Sequence, residues 1–384
     1  MSYADNRPSW DIFCRVIDNF GDVGVCWRLA RQLAGEHGLA VRLWVDDLAA
    51  FRRLCPAIDA GRAVQSWQGV DIRLWPEPFP EVEPAGVVIE AFACELPERY
   101  VRAMAARVAR PRWINLEYLS AEAWVGECHG LASPSPRWPL TKHFFFPGFA
   151  EETGGLLLER DLLARRRAFR ADSAAQAAFW QTLGLLPPEE DEIRLSLFCY
   201  PASPAAELFA CWRDGAEAIT CLVPEGVAGA AIADFFGVEA VAAGAALRRG
   251  NLLVRIIPFL DQEAYDRLLW SCDGNVVRGE DSFVRGLWAA RPMLWQPYPQ
   301  AEIAHLHKLE VFLDRYCVGL DAPAAAALAA MWRAWSHGEG VALAWPAFRA
   351  HWTTIEKHAE TWAGDHAAQG DLASKLVLFC SDRL

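Results

Sequence analysis

Trp10-Asp11-Ile12-Phe13-Cys14-Arg15-Val16-Ile17 runs directly into Asp18-Asn19-Phe20-Gly21-Asp22-Val23-Gly24-Val25, and this junction decides the fold. The stretch 10–17 is mostly apolar and of strand length. From 23 to 33, Val25, Leu29 and Leu33 recur at helical spacing. A buried strand, a short polar turn and an amphipathic helix form the first half of a βα unit. In an open parallel sheet that turn lies at the carboxyl end of the strands, where ligands bind. The turn is not GxGxxG, which argues against a dinucleotide cradle. It carries two carboxylates instead, Asp18 and Asp22, four residues apart. Two readings stand: Asp22 caps the helix through its first amides, or the pair works chemically in a cleft.

Outward from this junction the same rhythm continues. Strand candidates at 40–45, 70–75, 87–92 and 113–116 alternate with helical stretches such as 97–108, a pattern of parallel strands covered by helices. Around 154–170 the texture changes to charged helix, with Arg165-Arg166-Arg167 at its centre. It reads as a bridge to a second domain or as a surface helix of the first. Strand candidates then resume at 193–199, 219–223, 252–257, 274–277 and 293–296, and from 324 onward the chain reads as helix. Two doubly wound, Rossmann-like α/β domains with helical closure are the GT-B arrangement, with ligand expected in the cleft between them. The expected division is 1–170 and 171–354, with a helix from about 355 to 384 packing back on the first domain.

Composition narrows the function. The 384 residues are 53% hydrophobic and 22% charged, enough apolar material for two cores. Eighteen tryptophans imply large, filled interiors. A net charge of −12 argues against a nucleic-acid binder, which needs a basic face to displace counterions. The eleven cysteines form no CxxC pair and mostly sit in apolar runs, as reduced thiols of a reducing compartment do. There is no signal-peptide core and no uncharged run of spanning length, so a cytoplasmic location is expected.

A second polar junction follows the strand candidate at 274–277: Arg278-Gly279-Glu280-Asp281-Ser282-Phe283-Val284-Arg285. Free amides at a helix start near Ser282, with the Ser282 hydroxyl and the Arg278 guanidinium, suit a diphosphate. The competing account is an Asp/Ser helix cap with a surface Arg–Glu pair; the density of polar groups favours the site. Phe198 and Tyr200 end one strand candidate, and Phe259, Gln262 and Tyr265 follow another. They could sandwich a pyrimidine, although aromatic residues in such folds more often fill cores. His305 and His307, two apart near Glu302, have poor helical spacing for joint metal ligation. HExxH, Asp-x-Asp and GxSxG are all absent, and Asp46-Asp47 is a bare pair.

Together these residues resemble the elongation factor P arginine rhamnosyltransferase family. The segments that carry the resemblance are the run from Trp10 to Arg31, the run from Arg278 to Arg285, and Tyr298-Pro299-Gln300. The likeness spans essentially the whole chain. It implies an inverting GT-B glycosyltransferase that moves L-rhamnose from dTDP-β-L-rhamnose to an arginine of elongation factor P, with no metal or other cofactor. The first domain would then be the acceptor side and the second the nucleotide-sugar side. By position, Asp22 would be the general base, Asp18 its neighbour, and Glu280 a further essential carboxylate. Arg278, Asp281, Ser282 and Tyr200 would hold the diphosphate and sugar, and Phe198, Phe259 and Gln262 the thymine. The chain departs from the family pattern at 265, where Tyr replaces the expected Phe. The rivals are a GT-B transferase with another acceptor, such as a lipid or small glycan, and a non-catalytic nucleotide-sugar-binding protein.

Overall fold

A computed structural model of the chain describes residues 8–18, 20–299 and 304–381. It divides into two compact units, Met1–Arg160 with His366–Leu384, and Asp161–Asp365.

Among the described residues, the first unit builds an eight-stranded sheet. Its strands are β1 (Ser9–Cys14), β2 (Ala40–Val45), β3 (Val64–Trp67), β4 (Val70–Leu74), β5 (Val87–Ala91), β6 (Arg112–Leu116), β7 (Ala132–Pro134) and β8 (Thr141–Phe145). Their order is β3-β4-β2-β1-β5-β6-β8-β7. The six inner strands are parallel, and β3 and β7 add antiparallel edges. Strand order turns back between β1 and β5, so the loop after β1 opens at the switch point where α/β sheets bind ligands.

Side-chain alternation explains why Ile12, Phe13 and Cys14 of β1 are all apolar. Ile12 and Cys14 join the core under helix Gly21–His37, which contributes Val23, Cys26, Trp27, Leu29 and Leu33. Phe13 points to the opposite face, into a cluster with Trp44, Trp75, Phe79, Tyr100 and Trp113. A strand covered on both faces has no solvent side to make polar. The C-terminal helix Leu372–Ser381 returns Leu372, Ala373, Leu376 and Cys380 to the first of these cores.

The second unit repeats the plan with β9 (Glu192–Leu197), β10 (Ala218–Pro224), β11 (Ala246–Arg249), β12 (Leu252–Ile257), β13 (Gly274–Arg278) and β14 (Met293–Gln296). They are ordered β11-β12-β10-β9-β13-β14, with the reversal between β9 and β13. Two doubly wound α/β units with a closing C-terminal helix place the chain in the GT-B fold class.

The division falls at 160/161 rather than 170/171, and the arginines of the charged helix Leu162–Ala171 explain why. Arg166 donates to the Trp288 carbonyl at 2.6 Å and pairs with Glu360. Arg170 donates to the carbonyls of Trp270 and Ala289 and to Glu360 at 2.7 Å. These carbonyls end helices Gln262–Ser271 and Asp281–Ala289, whose last C=O groups lack partners inside their own helices. The arginine run is therefore a structural part of the second unit. The last helices also split: Trp352–Ala367 lies almost wholly in the second unit, and Leu372–Ser381 packs in the first.

None of the eleven cysteines is in a disulfide. No helix among the described residues is long and apolar enough to cross a membrane.

Candidate active site

The carboxylate turn of the first unit is built by a strand that stops early. β1 ends at Cys14, short of the expected 17, because side chains take the next amides. Val16 N–H donates to Asp46 Oδ1 at 3.0 Å. Ile17 and Asp18 N–H donate to Asp22 Oδ2 at 2.8 and 2.9 Å. The Asp46-Asp47 pair thereby has two separate duties, since Asp47 caps helix Leu48–Leu54 through Ala49 and Ala50.

Asp22 is not the helix cap. Phe20 occupies that position with no side-chain cap bond, and Asp22 sits in the first turn with its carboxylate turned back over the loop. It is 2% exposed. Two amides engage Oδ2, while Oδ1 receives the Tyr118 hydroxyl at 3.3 Å. Charge-assisted bonds of this kind fix orientation as well as adding energy. Asp18 is half-buried beside it, and Gly21 N–H donates to the Asp18 carbonyl at 2.6 Å. A Cβ on Gly21 would stand 2.9 Å from Asp18 Oδ2, so glycine leaves room for that carboxylate at the helix start.

Tyr118 and its partner Phe92 are residues that the sequence reading missed. The two rings stack at 4.4 Å, both just beyond strand ends on this side of the sheet. Phe92, Ala93 and Glu95 all have positive φ, between 53° and 57°. Each such non-glycine residue costs about 1–2 kcal/mol. The loop is held in place by Phe92 N–H on the Leu116 carbonyl, Glu95 N–H on Glu90 Oε1 and Cys94 Sγ on the Phe13 carbonyl. A signal was available: Glu117-Tyr118 after the strand candidate 113–116 is another polar junction at a carboxyl strand end. Glu117 accepts from Asn115, and burial raises its carboxyl above the usual range.

In the second unit the turn after β13 closes on itself. Arg278 N–H donates to Ser282 Oγ at 3.0 Å, and the Ser282 hydroxyl returns its proton to the Arg278 carbonyl. Gly279 turns the chain at φ 61°. Ser282 is thus no helix cap. Glu280 holds the cap position and adds no side-chain cap bond at the start of helix Asp281–Ala289, and a helix N-terminus attracts an anion. Arg278 donates to the Cys199 carbonyl at 3.0 Å, and its guanidinium lies 4.3 Å from the Phe198 ring and 4.6 Å from the Tyr200 ring.

Around this turn the structure gathers the other nominated residues. Gln262 is buried and donates to Asp281 Oδ2 at 3.3 Å. The Phe198 ring lies 6.5 Å from Phe259 and 5.7 Å from Tyr265. Gln296 braces the floor, accepting from Tyr200 N–H through its side chain and from Gly279 N–H through its carbonyl. Arg285, the last residue of the motif, is structural: it holds Asp266 bidentately at 2.9 and 2.7 Å, locking helix Asp281–Ala289 to helix Gln262–Ser271. His305 and His307 lie on helix Ala304–Tyr316, and Glu302 and Gln300 fall outside the described residues. Among the described residues, no group of three or more His, Cys, Asp or Glu side chains is placed to hold a metal.

The comparisons with known proteins agree with this architecture. The protein-arginine rhamnosyltransferases of Pseudomonas putida and Pseudomonas aeruginosa are 51% and 50% identical to the chain, over 98% of it and the whole of each relative. A solved structure described as the structural basis for EarP-mediated arginine glycosylation of translation elongation factor EF-P superposes with a TM-score of 0.71. It is 39% identical and covers 98% of this chain and 99% of that one. The family model of the Elongation-Factor P (EF-P) rhamnosyltransferase EarP matches residues 10–381. The chain belongs to the EarP family and is a glycosyltransferase.

Proposed function

We propose that the protein transfers L-rhamnose from dTDP-β-L-rhamnose to one arginine side chain of elongation factor P, with inversion and without a metal ion. The first unit serves the acceptor and the second the donor. The observation that carries this reading is the asymmetry of Asp22: its Oδ2 is engaged by two amides, and its Oδ1 faces Tyr118.

An arginine guanidinium is protonated at neutral pH and a poor nucleophile. A fixed carboxylate oxygen can grip its planar fork and take a proton as nitrogen attacks. In one displacement the N–C1 bond forms, the bond from C1 to the phosphate oxygen breaks, the proton passes to Asp22 Oδ1 and dTDP departs. Asp18, beside Asp22 at the same turn, would orient the fork behind the anomeric carbon, and Glu280 would be a further carboxylate toward the sugar. The departing diphosphate gains negative charge, which Arg278 and the amides of helix Asp281–Ala289 would offset. Phe198, Phe259 and Gln262 would receive the thymine, and Tyr200, Asp281 and Ser282 the diphosphate and sugar.

The test is intact-mass analysis of elongation factor P incubated with the enzyme and dTDP-β-L-rhamnose, with a chelator present. One added deoxyhexose on a single arginine is expected. An unshifted mass with folded enzyme would reject the proposal.

A further inference from the structure

β5 is apolar but for one residue. Glu90 is its penultimate position, between Val87-Val88-Ile89 and Ala91, and is 2% exposed. Burying a carboxylate is unfavourable unless it is paired and hydrogen-bonded, and an apolar residue of similar volume is often as stable or better. Stability alone does not call for an acid here.

Its bonds give it another use. Oε2 takes the Lys142 ammonium at 2.7 Å and the Trp113 indole N–H at 3.0 Å, and Lys142 also lies over the Trp113 ring at 4.6 Å. Oε1 accepts the backbone N–H of Glu95 at 3.1 Å. One oxygen is anchored on β6 and β8, and the other ties down the far end of the loop 92–95.

That loop holds three non-glycine residues in the left-handed region, Phe92, Ala93 and Glu95. Such strain persists only where the surroundings over-determine it, and it gathers at functional sites. What the loop presents is the Phe92 ring, stacked on Tyr118 at 4.4 Å with 17° between the planes. The Tyr118 hydroxyl donates to Asp22 Oδ1 at 3.3 Å, the oxygen assigned above to the proton of the acceptor arginine. A buried acid, a strained loop, an aromatic pair and the turn carboxylate thus follow one another in contact.

We infer that Glu90 is a positioning residue for the transfer: its carboxylate holds loop 92–95 in the conformation that sets the Phe92 ring, and through it the Tyr118 hydroxyl, against Asp22. This rests on the reading of Asp22 as the base. Glu90 acts through Tyr118, so the two are coupled although no bond joins them.

Steady-state kinetics of Glu90→Gln, Tyr118→Phe and the double variant test it. Glutamine has one acceptor oxygen for donors on both sides, so the loop loses its tie or the strands lose theirs. The kcat of Glu90→Gln should fall roughly 10–100-fold, with the KM for dTDP-β-L-rhamnose unchanged. In the Tyr118→Phe background the same substitution should cost no more than about twofold. An unchanged kcat in Glu90→Gln overturns the inference. So does an equal loss in both backgrounds, which is what a merely structural acid gives by lowering the folded fraction of each protein alike. Where Glu90→Gln does not fold, Glu90→Asp, which keeps a charge for Lys142 but is one methylene too short to span both sets of donors, is read in the same cycle by the same outcomes. Asp22→Asn separates the two levels. Turnover retained there removes the base reading and the inference with it, whereas an inactive Asp22→Asn beside a fully active Glu90→Gln removes the inference alone.

Discussion

At the scale of single residues, the proposed chemistry depends on how few degrees of freedom Asp22 retains. Two amide bonds hold Oδ2, so replacing the carboxylate by an amide leaves Asp22→Asn with a neutral group that can keep its oxygen on Ile17 and Asp18 and turn an N–H toward Tyr118. Loop geometry should persist while the proton acceptor is lost. Asp22→Asn is expected to reduce kcat by at least 10²–10⁴-fold, the usual contribution of a positioned base, with dTDP affinity within about twofold of wild type. Single-turnover kinetics and titration check the two halves, and retained turnover would remove Asp22 from the role. The sequence announced both carboxylates, because a polar turn after the first strand of a parallel sheet has a known address. It could not distinguish cap from base. That choice rests on whether the side chain points forward to the helix amides or back to the loop, and spacing is the same for both. Tyr118 was illegible for a related reason: its contact with Asp22 spans 96 residues and depends on β6 lying two strands from β1.

Among elements, the proposed donor site depends on two helices keeping their relative register. Gln262 and Tyr265 come from one, and Asp281 and Ser282 from the other. The buried Arg285–Asp266 fork joins them, with side chains 2% and 6% exposed. Removing one partner leaves an uncompensated buried charge, so Arg285→Ala should cost about 3–5 kcal/mol and weaken dTDP binding. Replacing both with apolar residues of similar volume, as in Arg285→Met with Asp266→Leu, should restore most of the stability. Denaturant unfolding of the set checks this; a double variant as unstable as Arg285→Ala would argue against a charge-burial cause. The strands and helices of both units were largely readable from apolar runs and spacing. The inner strand β8 and the edge strands β3, β7 and β11 were not, since their mostly exposed or half-buried residues leave no run of buried apolar side chains. Nor did the arginines of Leu162–Ala171 reveal their allegiance, because a charge that binds helix-end carbonyls looks in sequence like one facing water.

For the whole molecule, each unit carries a histidine that mild acid should turn against it. In the first, His129 Nδ1 accepts the Phe146 amide at 3.1 Å, which requires that nitrogen to be unprotonated. Burial, and secondarily the charge of Lys375, lowers its pKa below 6.5. In the second, His358 Nε2 meets the Tyr316 carbonyl at 2.6 Å, and burial lowers its pKa as well. The sign follows from where the protons bind. Above about pH 6.5 these rings are neutral in folded and unfolded chains alike, and their contribution is complete. As pH falls through 6.5 toward the lower folded value, the unfolded chain takes up protons that the folded chain refuses, so stability declines. Glu117 and Asp273 act oppositely, their carboxyls raised by burial, but from an ordinary value near 4 and so at lower pH. Between pH 7.5 and 5.5 the Tm should therefore drop, by roughly 2–4 °C for each kcal/mol lost in units of this size. His129→Asn keeps an acceptor near Nδ1, and His358→Gln keeps a donor near Nε2, while neither titrates. Calorimetric melts of the double variant should show a flatter Tm across that window, and a slope equal to the wild type's would assign the acid sensitivity to other groups.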